Sequence, residues 1–119
     1  MTAVNNVDWF QIGTDKPAEA ERFYGDVFGW TFAEDDDTAG YRLVTTPGAA
    51  GPSGGLVAAT PHHAIFYVHV ADTADACGRA EAAGGKVLVP PTDGGNGLIF
   101  AHLLDPSGNH IGVYTPQHA

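Results

Sequence analysis

Positive charge is scarce in this sequence. Five Lys and Arg stand against fourteen Asp and Glu, a formal net charge of -9. An acidic surface repels phosphate backbones and anionic headgroups, which argues against nucleic acid and against a charged membrane surface as partners. Cysteine occurs once, at Cys77, so no disulfide framework holds the chain together. No apolar run approaches the roughly 20 residues of a membrane-crossing helix. The start, Met1-Thr2-Ala3-Val4-Asn5-Asn6, has neither the basic nor the apolar segment of a secretory signal. These absences leave a soluble, cytoplasmic, acidic protein as the expectation. Its 119 residues, 44% hydrophobic and 10% aromatic, suffice for one core and not for two, so residues 1–119 are read as a single domain.

The chain alternates between strand-like and helix-like stretches. Val7 to Ile12 mixes β-branched and aromatic residues at strand length. Asp15-Lys16-Pro17 reads as a helix start, with Asp15 as the cap. From Ala18 to Phe28 the apolar residues Ala20, Phe23, Tyr24, Val27 and Phe28 recur at helical spacing, and Gly29 ends the run. Phe23, Tyr24, Val27 and Phe28 are expected to pack between helix and sheet. Short strands follow at Trp30 to Glu34, Tyr41 to Thr45 and Gly55 to Ala59, separated by the acidic turn Asp35-Asp36-Asp37 and a Gly/Pro-rich loop.

The pattern then repeats. Ala64 to Val70 is a strand, Asp72 caps a helix from Ala74 to Ala83, and Gly84-Gly85 closes it. Lys86 to Val89 is a strand that Pro90-Pro91 is expected to end. Leu98 to Leu104 and Ile111 to Tyr114 are the last strands, joined by the turn Asp105-Pro106-Ser107-Gly108. Asp72 lies 57 residues after Asp15, and Gly85 lies 56 after Gly29. The fold class is therefore α+β, made of two tandem βαβββ modules at about residues 7–59 and 64–115. One helix per module covers one face of its sheet; the other face must meet a sister module, a second chain or a ligand.

Asp15 with Phe23-Tyr24, Val27-Phe28-Gly29-Trp30, Ala83-Gly84-Gly85-Lys86-Val87 and Asp105-Pro106-Ser107-Gly108-Asn109, in this order across a duplicated pattern, resemble the vicinal oxygen chelate superfamily. That group includes glyoxalase I, the bleomycin- and fosfomycin-resistance proteins and the extradiol dioxygenases. The resemblance implies curled sheets around a cavity, usually in a homodimer. It also implies metal ligands on the first and last strands of each module. The corresponding positions here hold Trp9 (Asp8 under another gap placement), Ile65 and Gly112, and residues 47–61 contain no His, Asp, Glu or Cys. Indole, alkyl and hydrogen supply no donor to a cation that needs three or four. The expectation is thus the fold with no metal and no cofactor.

Strand alternation sorts the remaining side chains. A face that includes Ile65 includes Tyr67 and His69; one that includes Gly112 includes His110 and Tyr114; Phe100 and His102 share a face of their own strand. On the first strand Trp9 and Gln11 point to the cavity and Phe10 and Ile12 to the helix. Trp9, Gln11, Tyr67, His69, Phe100, His102, His110 and Tyr114 are the candidate ligand-binding residues, with Ile65 between them. Aromatic walls with a few polar groups suit a small organic molecule, although the same rings could simply pack on one another. His62 and His63 read as exposed linker residues, His118 as tail, and Cys77 as a small packing residue. No catalytic residue is named by the sequence. Three functions stay open: a metal-independent binder of an aromatic or cationic compound, a metal-independent glyoxalase-like lyase or isomerase using His69 or His102, and a metalloenzyme with rearranged histidine ligands.

Overall fold

The structure is a computed structural model and describes residues 4–36, 38–95 and 97–116. His118, expected in the tail, lies outside the described residues, as does Asp37 of the acidic turn. The order of elements is β1 (Asn6–Thr14), α1 (Pro17–Phe28), β2 (Thr31–Glu34), β3 (Arg42–Thr45), β4 (Gly54–Ala58), β5 (His63–His69), α2 (Thr73–Ala82), β6 (Lys86–Asp93), β7 (Ile99–Leu104) and β8 (His110–Thr115). The α+β class and the repeated βαβββ order expected from the sequence are both present. No helix among the described residues is long and apolar enough to cross a membrane.

Contacts gather the chain into two compact units, Trp9–Ala64 and a second made of the residues up to Asp8 with those from Ile65 onward. The first three residues of β1 thus belong with the second module, which a reading by sequence repeats does not reveal.

In the unit Trp9–Ala64 the strand order is β2-β3-β4-β1, with β1 and β4 parallel and the other pairs antiparallel. Ile12, Val44 and Leu56 are buried under α1, with Phe10, Ala20, Tyr24, Trp30 and Phe32 around them. Val44 and Leu56 are wholly buried, each contributing about 1.5–3 kcal/mol of hydrophobic stabilisation. Phe10 and Ile12 face the helix, as alternation requires. Two expectations fail on α1. Asp15 makes no cap: Lys16 occupies that position with no side-chain bond, and its backbone N–H donates to Thr14 Oγ1. Of the four aromatic and aliphatic residues assigned to the core, only Tyr24 packs inward, stacked on Trp30 at 5.1 Å. Phe23, Val27 and Phe28 are each more than half exposed. The stripe at helical spacing is wider than the face that one four-stranded sheet covers.

The other unit has the order β5-β8-β7-β6, with β5 and β8 parallel and β6–β7–β8 antiparallel. Val70, Cys77, Ala101, Leu103 and Val113 form its core against α2. Asp72 caps α2 by accepting from the Asp75 N–H at 3.0 Å. Burial, and then the charge of Glu81, push the Cys77 thiol up, in keeping with a packing residue. Pro90-Pro91 does not end β6, which continues to Asp93. β6 is the edge strand, so a proline can face away from the ladder; the register slips at Val87/Val89 and Val89/Thr92 and then recovers opposite Phe100. Asp105 behaves as a turn former. Its carboxylate accepts from the Ser107 and Asn109 N–H groups and from the Asn109 amide. Those bonds, the Asn109 side chain first, hold its pKa down.

Candidate functional site

The candidate residues fall into two clusters, one in each unit, and each lies on the sheet face away from its helix. In the unit Trp9–Ala64, Trp9 and Gln11 are joined by Tyr41 and His63. The Trp9 indole N–H can only donate, and it does so to the Tyr41 hydroxyl at 3.1 Å. Tyr41 therefore donates onward to Gln11 Oε1 at 3.1 Å. That fixes the Gln11 amide, whose nitrogen lies 3.1 Å from His63 Nε2. The ring nitrogen must accept, so the His63 proton sits on Nδ1. Glycines make room for these groups: a Cβ at Gly55 would collide with the Tyr41 ring, and one at Gly13 with the His63 imidazole. Burial, opposed by the Trp9 hydrogen bond and assisted by Asp35, raises the Tyr41 pKa. His63 is thus half-buried and bonded, not the exposed linker residue its sequence neighbourhood suggests. His62 is exposed, as expected.

In the other unit Tyr67, His69, Phe100, His102, His110 and Tyr114 form a continuous series of ring contacts. Tyr67 meets His102 edge-on at 5.6 Å and Tyr114 at 6.1 Å. His69 lies 5.2 Å from Tyr114, and His102 lies 5.7 Å from Phe100 and 4.8 Å from His110. The Tyr67 hydroxyl is 2.6 Å from His102 Nε2, and His102 Nδ1 is 2.8 Å from His110 Nε2. A neutral His102 gives one hydrogen and takes one, so all the protons of this chain point either toward His110 or toward Tyr67. Burial lowers the His110 pKa, favouring the neutral ring.

Asp8 closes the series at its other end. It accepts from the Tyr114 hydroxyl at 2.7 Å and faces His69 Nδ1 at 3.4 Å. Burial first, then Asp8, raise the Tyr114 pKa and keep that hydroxyl a donor. Asp8 carried no role in the sequence beyond a gap-dependent ligand position, and Tyr41 and His63 carried none. Alternation within strands finds residues on one face; it does not find a carboxylate that reaches across from another element.

The fit of a metal follows from these contacts. Trp9 and Ile65 offer no donor, and Gly112 is covered by the Tyr67 ring, which a Cβ there would meet at 2.5 Å. The Asp8 carboxylate is engaged by Tyr114 and His69. Among the described residues no three His, Cys, Asp or Glu side chains are grouped to hold an ion. These residues do not fit the metal of the metal-dependent relatives.

Comparison with known proteins agrees with the fold. The chain is 32% identical over 112 residues to the "Putative glyoxylase CFP32" of Mycobacterium tuberculosis, covering 91% of this chain and 43% of that protein. It is 34% identical over 136 residues to the "Anthracycline biosynthesis protein DnrV" of Streptomyces peucetius, covering 89% and 45%. It therefore spans less than half the length of these curated relatives. A Mn(II)-bound glyoxalase from Novosphingobium aromaticivorans superposes with a TM-score of 0.62 at 22% identity, over 97% of this chain and 40% of the other. At that identity the likeness is one of fold. A family model matches residues 6–113, and with the paired βαβββ units it shows that the chain belongs to the Glyoxalase/Bleomycin resistance protein/Dioxygenase superfamily.

Proposed function

We propose that this protein binds a small aromatic or cationic organic molecule against the ring-lined sheet faces, without a protein-held metal ion. One observation carries the reading. Six side chains that alternation assigns to one side of three strands are in contact in series, Tyr67, His69, Phe100, His102, His110 and Tyr114. Rings with a few fixed polar groups are the usual composition of a small-molecule site. Trp9 and Gln11, with Tyr41, are assigned the same role in the other unit. A net charge of -9 and a carboxylate at the edge of the rings favour cations over anions. Relatives named for anthracycline biosynthesis and a family named in part for bleomycin resistance are consistent with an organic ligand.

Calorimetric titration against a panel of aromatic amines, neutral aromatics and aromatic carboxylates tests this. Amines and neutral aromatics are expected to bind, and Phe100→Ala and Tyr114→Ala to weaken binding at least about 10-fold. A panel without a single binder, or variants that bind like the wild type, overturns it. We also infer a homodimer, supported by exposed Phe23, Val27 and Phe28 on α1, and a reducing, cytoplasmic setting, supported by the single free Cys77. Light scattering at several concentrations reads the first.

A further inference from the structure

We propose that His69, held by Asp8 and Tyr114, is a general base that removes a proton from an acidic C–H of a bound aromatic molecule. The proposal goes beyond binding and takes its substrate from the binding reading above. Three observations carry it. The Asp8 carboxylate can only accept, so the His69 Nδ1 facing it at 3.4 Å bears a proton, and in the neutral ring Nε2 is then the nitrogen with the lone pair. The carboxylate is itself held, because the Tyr114 hydroxyl donates to its other oxygen at 2.7 Å; the backbone of His69 is tied separately, its carbonyl accepting from the Asn5 N–H. Among the described residues, every fully buried side-chain nitrogen or oxygen has a hydrogen-bond partner. His69 Nε2 makes no hydrogen bond, so it is not fully buried, although the residue as a whole is only 9% exposed.

A base oriented by a third group is the arrangement that acid–base catalysis needs. The 3.4 Å contact is long, as such bonds commonly are before a ligand binds. Ionisable groups in contact with His69 are Asp8 from β1 and Tyr114 from β8; no Lys or Arg is on β1, β5, β7 or β8. The imidazolium formed after proton transfer therefore meets Asp8 as its counter-charge and no competing cation on these strands. His69 is the catalytic residue. Asp8 and Tyr114 position it.

The probe is 5-nitrobenzisoxazole, a planar aromatic with one acidic C–H. Nε2 takes that proton, the C–H electron pair forms the nitrile, the N–O bond breaks, and the oxygen leaves as coloured 2-cyano-4-nitrophenolate. The imidazolium returns its proton to water. Turnover is expected at least about 100-fold above free imidazole at equal concentration. It should vanish in His69→Gln and fall about 10-fold or more in kcat, at unchanged KM, in Asp8→Asn. Circular dichroism checks that both variants fold. Nitrogen-15 NMR of the wild type should show His69 with its proton on Nδ1, and a purely structural Asp8 would not move kcat alone. Binding of the 3-methyl analogue, which has no acidic C–H, is measured by calorimetry. Analogue binding without turnover of the parent overturns the base and leaves the binding reading standing. Failure of the analogue to bind, with no turnover of the parent, overturns the base for this aromatic C–H substrate, while the binding reading stands or falls with the wider panel; a His69 with its neutral-ring proton on Nε2 overturns the base whatever binds.

Discussion

Gly112→Ala is the sharpest probe of the ring-lined face. Gly112 lies opposite Tyr67 in the β5–β8 ladder. A Cβ there would sit 2.5, 2.6 and 2.7 Å from Cε2, Cδ2 and Cζ of the Tyr67 ring. Carbon atoms pack at about 3.5–4.0 Å, so the ring must move by about 1 Å. It has little freedom to do so: Tyr67 is 5% exposed and its hydroxyl is 2.6 Å from His102 Nε2. Overpacking of this kind costs about 1–3 kcal/mol, and the broken buried hydrogen bond about 1 kcal/mol more. Reduced freedom of the unfolded chain offsets about 0.5–1 kcal/mol. The net loss is about 1–3.5 kcal/mol, or roughly 4–14 °C in Tm at this chain length. Urea unfolding followed by circular dichroism measures it, with an unchanged m-value as the sign that the denatured state is unaltered. The Tyr67→Ala background supplies the decisive comparison. With the ring gone the methyl group has nothing to strike, and the coupling between the two substitutions should be about 2–4 kcal/mol. A coupling below about 0.5 kcal/mol would mean that Tyr67 does not cover Gly112, and the account of why no ligand side chain fits there would fall with it.

Gly78→Ala should act oppositely: a Cβ there meets nothing within 4 Å, and the position is inside α2, so a gain of about 0.5–1 kcal/mol is expected in the same unfolding assay. His110→Gln should flatten the acid side of the stability profile. Burial lowers the folded-state pKa of His110, so below its ordinary value of about 6.5 the unfolded chain takes up the proton first. Wild-type stability therefore falls as pH drops from about 6.5 toward the lowered value, and the variant should lose less over that interval. Equal slopes for the two proteins, read by urea midpoints at several pH values, would remove His110 from the account.

Most of the fold was legible because both periodicities are local. The spacing of Ala20 and Tyr24 marked a helix, alternation put Phe10 and Ile12 toward it, and the paired Asp72 and Gly85 signals exposed the duplication. Pro90-Pro91 misled, since a proline ends a strand only where its missing N–H is required, and edge or interior position is not written locally. Phe23, Val27 and Phe28 misled for a similar reason: the helical pattern shows which residues share a side and not how wide the covering sheet is.

The sequence by itself determined the α+β class, the tandem modules and the absence of metal donors at Trp9, Ile65 and Gly112, because those depend on residue type and short-range spacing. It also placed Tyr67, His69, Phe100, His102, His110 and Tyr114 on common faces, through the two-residue repeat of a strand. Only the tertiary structure decided which of them bond, and with whom. Asp8 meets His69 and Tyr114 across separations of 61 and 106 residues, and Tyr41 meets Trp9 across 32. Contacts at that range are set by strand order and register, which no local pattern encodes.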